Sequence, residues 1–512
     1  MTQSAAEPLS APRPLPGQVR TLVVGAGFAG LGMAIKLQES ADTDFLVIDK
    51  GEEVGGTWRD NTYPGAACDV PSQLYSYSFA LNPDWSQTYS PQPEIQQYIR
   101  NVADRAGVLD RFAFGTAAED ARWDEDTRRW RVTTSRGPVE AEVLVLAAGA
   151  LSEPKLPDIE GIEGFQGAVF HSAQWDHDYD LSGKRVAVIG TGASAIQIVP
   201  ELAKVAAHLD VYQRTAPWVM PRMQRPYTRV EKAIFRHVPG AQRLQRTAIY
   251  WLMEGMVGPP LHHNPRFGFH LARLCRANIS RAIKDPELKA KVTPHFTVGC
   301  KRILFSNDWY PALARPDVDL VTDPIAKVTA HGIVTADGTE RDIDALVIAT
   351  GFHTTDLPIA EHVAGRDGVT LAGYFDTHGM QAYKGATVSG FPNMFFIVGP
   401  NTGLGHSSMV FMIEAQIAYI MDALRTMEEH GWATVEPKPD AQRAWNDDLQ
   451  TRMRRTVWTT GGCSSWYLDK HGRNTTLWPR TTFKFRDLLK SFDPEQYVVT
   501  ATEPANEEER VA

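Results

Sequence analysis

Two glycine loops carry the most readable chemistry in this chain. Gly25, Gly27 and Gly30 stand in GAGFAG, and Gly190, Gly192 and Ala195 stand in GTGASA. Each loop follows a short β-branched run and opens an apolar pattern of helical period. In such a loop the first glycine permits a tight turn and the second lets a pyrophosphate approach the backbone. The third small residue lets helix and strand pack closely. The helix N-terminus then offers free N–H groups and partial positive charge to the phosphates. The chemistry implied is dinucleotide binding, twice over.

The two copies differ where they meet the ribose. The strand after the first helix (FLVID) ends in Asp49, and the strand after the second ends in Gln213-Arg214-Thr215. Asp49 and Arg214 both lie 24 positions beyond the first glycine of their loop. A carboxylate there accepts hydrogen bonds from ribose hydroxyls, as the adenosine half of FAD requires; a cation there receives a 2′-phosphate and selects NADPH. Each copy also has a later strand ending in glycine, VLVLAAGA at 143–150 and ALVIATGF at 345–352. The pattern predicts an α/β fold of two Rossmann-like dinucleotide-binding domains.

A chain of 512 residues exceeds one core. Residues 1–19 read as a disordered or surface-draped lead-in. Residues 20–155 and 384–512 read as the FAD-binding domain, and 156–219 and 300–383 as the NADPH-binding domain. Residues 220–299, rich in Arg, Pro and aromatics, read as a helical insertion with helices near 229–237 and 269–284. After Gly351 the chain returns through FPNMFFIVGPN to an apolar helix at 409–424, with Ser407 and Ser408 as candidate caps. The positive end of that helix would suit the pyrimidine edge of a reduced flavin. The last ten residues read as a solvated end.

Composition excludes several classes. A net charge of −9 without a dense basic block gives no reason to expect nucleic acid. No run approaches the roughly 20 apolar residues of a membrane span. The most membrane-like stretch, 249–260, is short and interrupted, and reads as a buried or interfacial helix; no membrane partner is expected. The N-terminus lacks the apolar segment of a signal peptide. Cys68, Cys275, Cys300 and Cys463 are scattered without a C-x-x-C pair, which argues against a metal site or a dithiol centre. That usage fits the reducing cytoplasm. Tyr250, Trp251, Phe267 and Phe269 suggest an apolar pocket in the insertion, although core packing explains most aromatics.

Two longer signatures narrow the reading. FQGAVFHSAQWD contains Phe165, Gly167, His171, Trp175 and Asp176; GGTWRDNTYPGAACD contains Gly55, Gly56, Thr57, Trp58, Tyr63, Pro64, Gly65 and Asp69. Both resemble the fingerprints of type I Baeyer–Villiger monooxygenases, class B flavoprotein monooxygenases, over roughly 20–498. The resemblance implies FAD and NADPH as cofactors, molecular oxygen as co-substrate and a ketone as substrate. The ketone would become an ester or lactone through a C4a-peroxyflavin, with sulfoxidation as a side reaction. It assigns Lys301 to the NADP 2′-phosphate, Arg302 to the active site and Asp69 to its acidic partner. Gly56, Thr57, Trp58 and Asn401 become FAD contacts, and Trp466 falls in a region shaping the substrate side. His171 and Trp175, in the linker entering the second domain, suit hydrogen bonding between domains better than catalysis. Two alternatives stay open: a flavin-containing monooxygenase acting on S or N, and a non-oxygenating NADPH flavoprotein. Trp175-Asp176 speaks against the first. The missing C-x-x-C and the complete nucleotide sets speak against the second.

Overall fold

The computed structural model describes residues 14–262, 268–469 and 471–502. Phe267, most of the expected lead-in and the expected solvated end lie outside these. Two sheets organise the molecule. In the first, Gln18–Val24 lies between Phe45–Ile48 and Gly137–Leu146, parallel to both, with Thr21 opposite Phe45 and Val143. Ala118–Asp124 and Arg129–Thr134 extend it as an antiparallel meander, and Met394–Phe396 joins Gly137–Leu146 in parallel. In the second, Arg185–Ile189 lies between His208–Tyr212 and Ala345–Ile348. Val318–Val321 and Ala168–His171 form the edges, and every pair is parallel. The glycine loop leaves the C-terminal end of the central strand in both sheets, so the duplication seen in the residues is a duplication of topology.

Strand alternation explains the layering. Val23, Val143 and Val145 face the helices Phe28–Glu39 and Met409–His430, packing with Leu31, Ile35, Met412 and Ile417. Leu22, Leu144 and Leu146 face the opposite side, against Trp123, Trp130 and Phe391. Ser408 caps the long helix by accepting from the Val410 N–H at 3.2 Å.

The return to the first sheet comes earlier than residue 384. Val363–Ala364 already pairs with Ala121 and Arg122 of the first sheet, and Ala360, Val363 and Leu371 pack in its core. A two-residue strand carries no periodicity, which is why the expected boundary fell late. Residues 18 and 19 likewise belong to the first strand rather than to the lead-in. The insertion is helical: Arg229–His237, Ala241–Met256, Gly258–His262, Phe269–Ala282 and Pro286–Val292. Its base is closed by Val219 pairing with Leu304.

The scattered cysteines give a further correction. Cys300 and Cys463, 163 positions apart, form a disulfide, while Cys68 and Cys275 are free and buried. The bond ties the segment carrying Lys301 and Arg302 to the C-terminal segment carrying Trp466. No spacing rule detects a bridge of that length, and a disulfide is at odds with reading the scattered cysteines as the usage of a reducing compartment.

Candidate active site

The first loop is built with almost no spare room. Gly25 has φ +113°, and a Cβ there would stand 2.5 Å from the Ala147 carbonyl oxygen. A Cβ on Gly30 would overlap the Gly25 carbonyl oxygen, so only glycine lets this helix approach its strand. Gly27 and Gly56 approach backbone to backbone; a Cβ on Gly56 would lie 3.1 Å from the Gly27 Cα. Asp49 is buried at the strand end and accepts from Ala26 N and Gly51 N at 2.7 Å and from Arg59 Nη1 at 2.8 Å. An ionised carboxylate has about four acceptor positions. Three here brace the loop, which leaves capacity for a ribose hydroxyl. The glycine cradle and this carboxylate fit an FAD.

The signature GGTWRDNTYPGAACD supplies the adjoining wall. Trp58 Nε1 donates to the Tyr75 hydroxyl at 3.0 Å, and Thr57 Oγ1 reaches the Leu151 carbonyl at 3.5 Å. Tyr63 donates to Gln197 Oε1 at 2.9 Å, and a Cβ on Gly65 would meet the Gln197 backbone. Gln197 lies on the helix Ala195–Leu202 of the second loop. Tyr63 and Gly65 therefore dock the first domain onto the second. Asn401, expected as an FAD contact, is tied to the C-terminal segment. Its Nδ2 donates to the carbonyls of Asn474 and Leu477 at 2.8 and 3.0 Å, so its amide holds the C-terminal segment.

The second loop is open. Gly190 repeats the tight turn, with φ +118°, but a Cβ on Gly192 would meet nothing within 4 Å. Ala195 starts the helix fully buried, so the third position tolerates a methyl group here. Thr191 Oγ1 donates to the Thr215 carbonyl at 3.1 Å, which links the loop to the strand end. Arg214 is exposed there. Lys301 lies close enough to repel it: burial first, then the Arg214 charge, lowers the Lys301 pKa. No carboxylate acts on Lys301 among these causes. Two cations converging without an acid are the electrostatics of a polyanion site, and they fit a 2′-phosphate.

Arg302, the next residue, belongs to a different environment. Burial holds the Asp69 pKa above its ordinary value, against the opposing pull of Arg302 and then Arg222. Among the described residues no N···O contact within 4 Å joins Asp69 to either arginine, so the predicted partnership acts through space. The buried Asp69 Oδ1 has no hydrogen-bond donor. Arg222 donates from Nη2 to the Cys68 carbonyl at 2.6 Å and lies 5.1 Å from the Tyr89 ring centre. The sequence offered no signal for it, because it lies at the edge of an insertion with many arginines. Tyr467, pushed up to about 12 chiefly by burial, sets its hydroxyl against the Arg302 backbone. Its neighbour Trp466 is half exposed, with ring centres 4.4 Å apart.

The linker fingerprint is structural in its contacts. Phe165 packs with Ile189, Val328 and Leu346, and a Cβ on Gly167 would overlap the Asp344 carbonyl oxygen. His171 ends an edge strand opposite Ile348 and accepts from Ala173 N at 3.1 Å through Nδ1; burial lowers its pKa. Trp175 stands edge-on to Phe170 at 4.8 Å, and Asp176 accepts from Asp178 N at 2.9 Å.

Two dinucleotide folds, docked through Tyr63 and Gln197 around a buried acid with two arginines, define an oxidoreductase using a flavin and a nicotinamide. The profile of the pyridine nucleotide-disulphide oxidoreductases matches residues 22–245. A Baeyer–Villiger monooxygenase of Streptomyces coelicolor is 50% identical over 488 residues, covering 95% of this chain and 94% of the relative. The NADP+-bound cyclohexanone monooxygenase of Rhodococcus sp. Phi1 superposes with a TM-score of 0.84 at 29% identity, over 95% of this chain and all of that one. OTEMO, solved with FAD and NADP, gives 0.85 at 28%, over 94% and 99%. The chain belongs to the Baeyer–Villiger monooxygenases.

Proposed function

We propose that this chain oxidises a ketone to an ester or lactone with NADPH and O₂, and that Arg302 is the cation at its oxygenating centre. The observation that carries the residue assignment is the pair Lys301-Arg302. One side chain acts on Arg214 at the NADPH strand end, and the next acts on Asp69 beside the FAD loop. A single turn thus serves both nucleotides. FAD, when bound, supplies the hydride acceptor and the activated oxygen. The protein supplies position and charge. Arg302 favours an anionic oxygen nucleophile and then stabilises the oxyanion formed on the substrate carbonyl. Asp69 supplies the opposite charge that keeps Arg302 from standing as an isolated charge. Arg214 and Lys301 hold the 2′-phosphate, while Asp49, Gly56 and Trp58 line the FAD side. The substrate is a small-molecule ketone, and the need for NADPH supports a cytoplasmic location. No described helix is long and apolar enough to cross a membrane.

Arg302→Ala tests this reading. It should keep FAD and still oxidise NADPH, while ester formation falls by about 10²–10³, the usual range for such an electrostatic donor. The missing product should appear as hydrogen peroxide. Lysine should rescue poorly, since a point charge on a flexible stem lacks the planar fork. Ester formed at the parent rate would remove Arg302 from the centre.

A further inference from the structure

The helix Ala241–Met256 is built inside out. Its buried positions are Gln242, Arg246, Tyr250 and Glu254, one every fourth residue. Each is spent on hydrogen bonds. Gln242 donates to Gln73 and Asn82, and Arg246 donates to the carbonyls of Gln73 and Leu74. Tyr250 meets Thr482 at 3.0 Å, and Glu254 meets His406 at 3.1 Å. The opposite face shows Leu244, Trp251, Leu252 and Met256 to solvent, with Leu244 73% and Trp251 54% exposed. The preceding helix, Arg229–His237, exposes Val230 and Ile234, and Val238 in the turn is exposed as well. Most large apolar side chains of a soluble face stand singly. A full apolar stripe over a buried polar one is the reverse of a water-facing helix.

Charge identifies what covers it. From residue 229 to 282 the sequence holds nine Lys and Arg but only Glu231 and Glu254 as acids, in a chain whose net charge is −9. Both acids are already partnered: Glu231 by Arg225 and the Thr228 cap, Glu254 by His406. Beside the stripe, Trp251 packs on Phe483 at 5.7 Å, and the exposed Arg486 lies 5.2 Å from the Phe411 ring centre. Apolar side chains including Trp, with the exposed Arg229 and Arg243 on the same two helices and Arg486 beside them, are the composition of an interfacial helix on anionic lipid. A symmetric pair of chains would set this basic face against itself, which like-charge repulsion opposes.

We propose that the Leu244–Trp251–Leu252–Met256 face docks this enzyme peripherally on an anionic phospholipid surface. Neither the oxygenating centre nor the nucleotide loops take part, so docking and turnover are separable. The test uses full-length FAD-bound protein and flotation with phosphatidylcholine vesicles, with and without phosphatidylglycerol. Binding should require phosphatidylglycerol and weaken at least about tenfold at high salt. Leu244→Glu with Leu252→Glu should weaken it at least about tenfold more, leaving FAD content and turnover of a water-soluble ketone unchanged. If the double variant misfolds, the salt and lipid arms still decide. Failure to float with either vesicle overturns the proposal. So does equal binding by parent and double variant, or a dimer seen by light scattering that the double variant dissolves.

Discussion

The two glycine loops share one topology but not one tolerance. In the first, Gly30 admits no side chain and Asp49 is already braced by three donors. In the second, the third position is Ala195, Gly192 borders open space, and Arg214 and Lys301 repel each other. The first site is finished before any ligand arrives, so little ordering remains to oppose binding, as suits a resident cofactor. The second holds unrelieved like charges that only a polyanion neutralises, as suits a co-substrate that comes and goes. The same fold thus becomes a socket or a port, according to what is satisfied in advance.

That contrast breaks most visibly at Gly30. Gly30→Ala places a methyl group on the Gly25 carbonyl, so the purified protein should retain no FAD and lose its visible flavin absorbance. Flavin content at the parent level would show that the loop has room. Next in size is the loss of either cation. Arg214→Ala or Lys301→Ala removes a charge-assisted contact worth roughly 1.5–3 kcal/mol. The NADPH KM should rise by about tenfold or more while NADH kinetics barely move. Equal loss with both nucleotides would make these residues structural.

The linker into the second sheet gives a pH test. Burial lowers the His171 pKa, so the unfolded state binds the proton more readily than the folded one. The stability that neutral His171 contributes is fully present above its unfolded pKa of about 6.5 and is lost as pH falls through the lower folded value. Thermal unfolding followed from pH 8 to about pH 5 should show this loss, and His171→Gln should flatten that limb. An unchanged slope would assign the loss to other groups. The smallest effect is reserved for Gly192→Ala. It should leave folding within about 0.5 kcal/mol of the parent and raise only the NADPH KM, because the pyrophosphate is the one neighbour that a Cβ would meet there. A large drop in Tm would mean that the second loop is as tightly packed as the first.

How far the residues reveal each part depends on how local its physics is. The central strands, glycine turns and ribose-end residues announce themselves because β-branched runs, φ > 0 glycines and a charge 24 positions on are properties of one short segment. Val363–Ala364 does not, since two residues have no period and gain their place only by pairing with Ala121 and Arg122. Asn401 sits in a recognisable turn, yet its amide is committed to Asn474 and Leu477, which lie more than 70 positions away. Arg222 and Tyr467 reach the neighbourhood of Asp69 and Arg302 from the insertion and from the C-terminal segment, without any spacing to mark them.

The sequence by itself determined two nucleotide folds, their different ribose ends and the family signatures, because each rests on contacts within a strand-loop-helix unit. Only the tertiary structure decided the rest. It bonded Cys300 to Cys463, turned the polar stripe of Ala241–Met256 inward and set Asp69 out of direct reach of Arg302. Each of these joins segments distant along the chain. Closure of the whole fold brings them together, and no local preference encodes that closure.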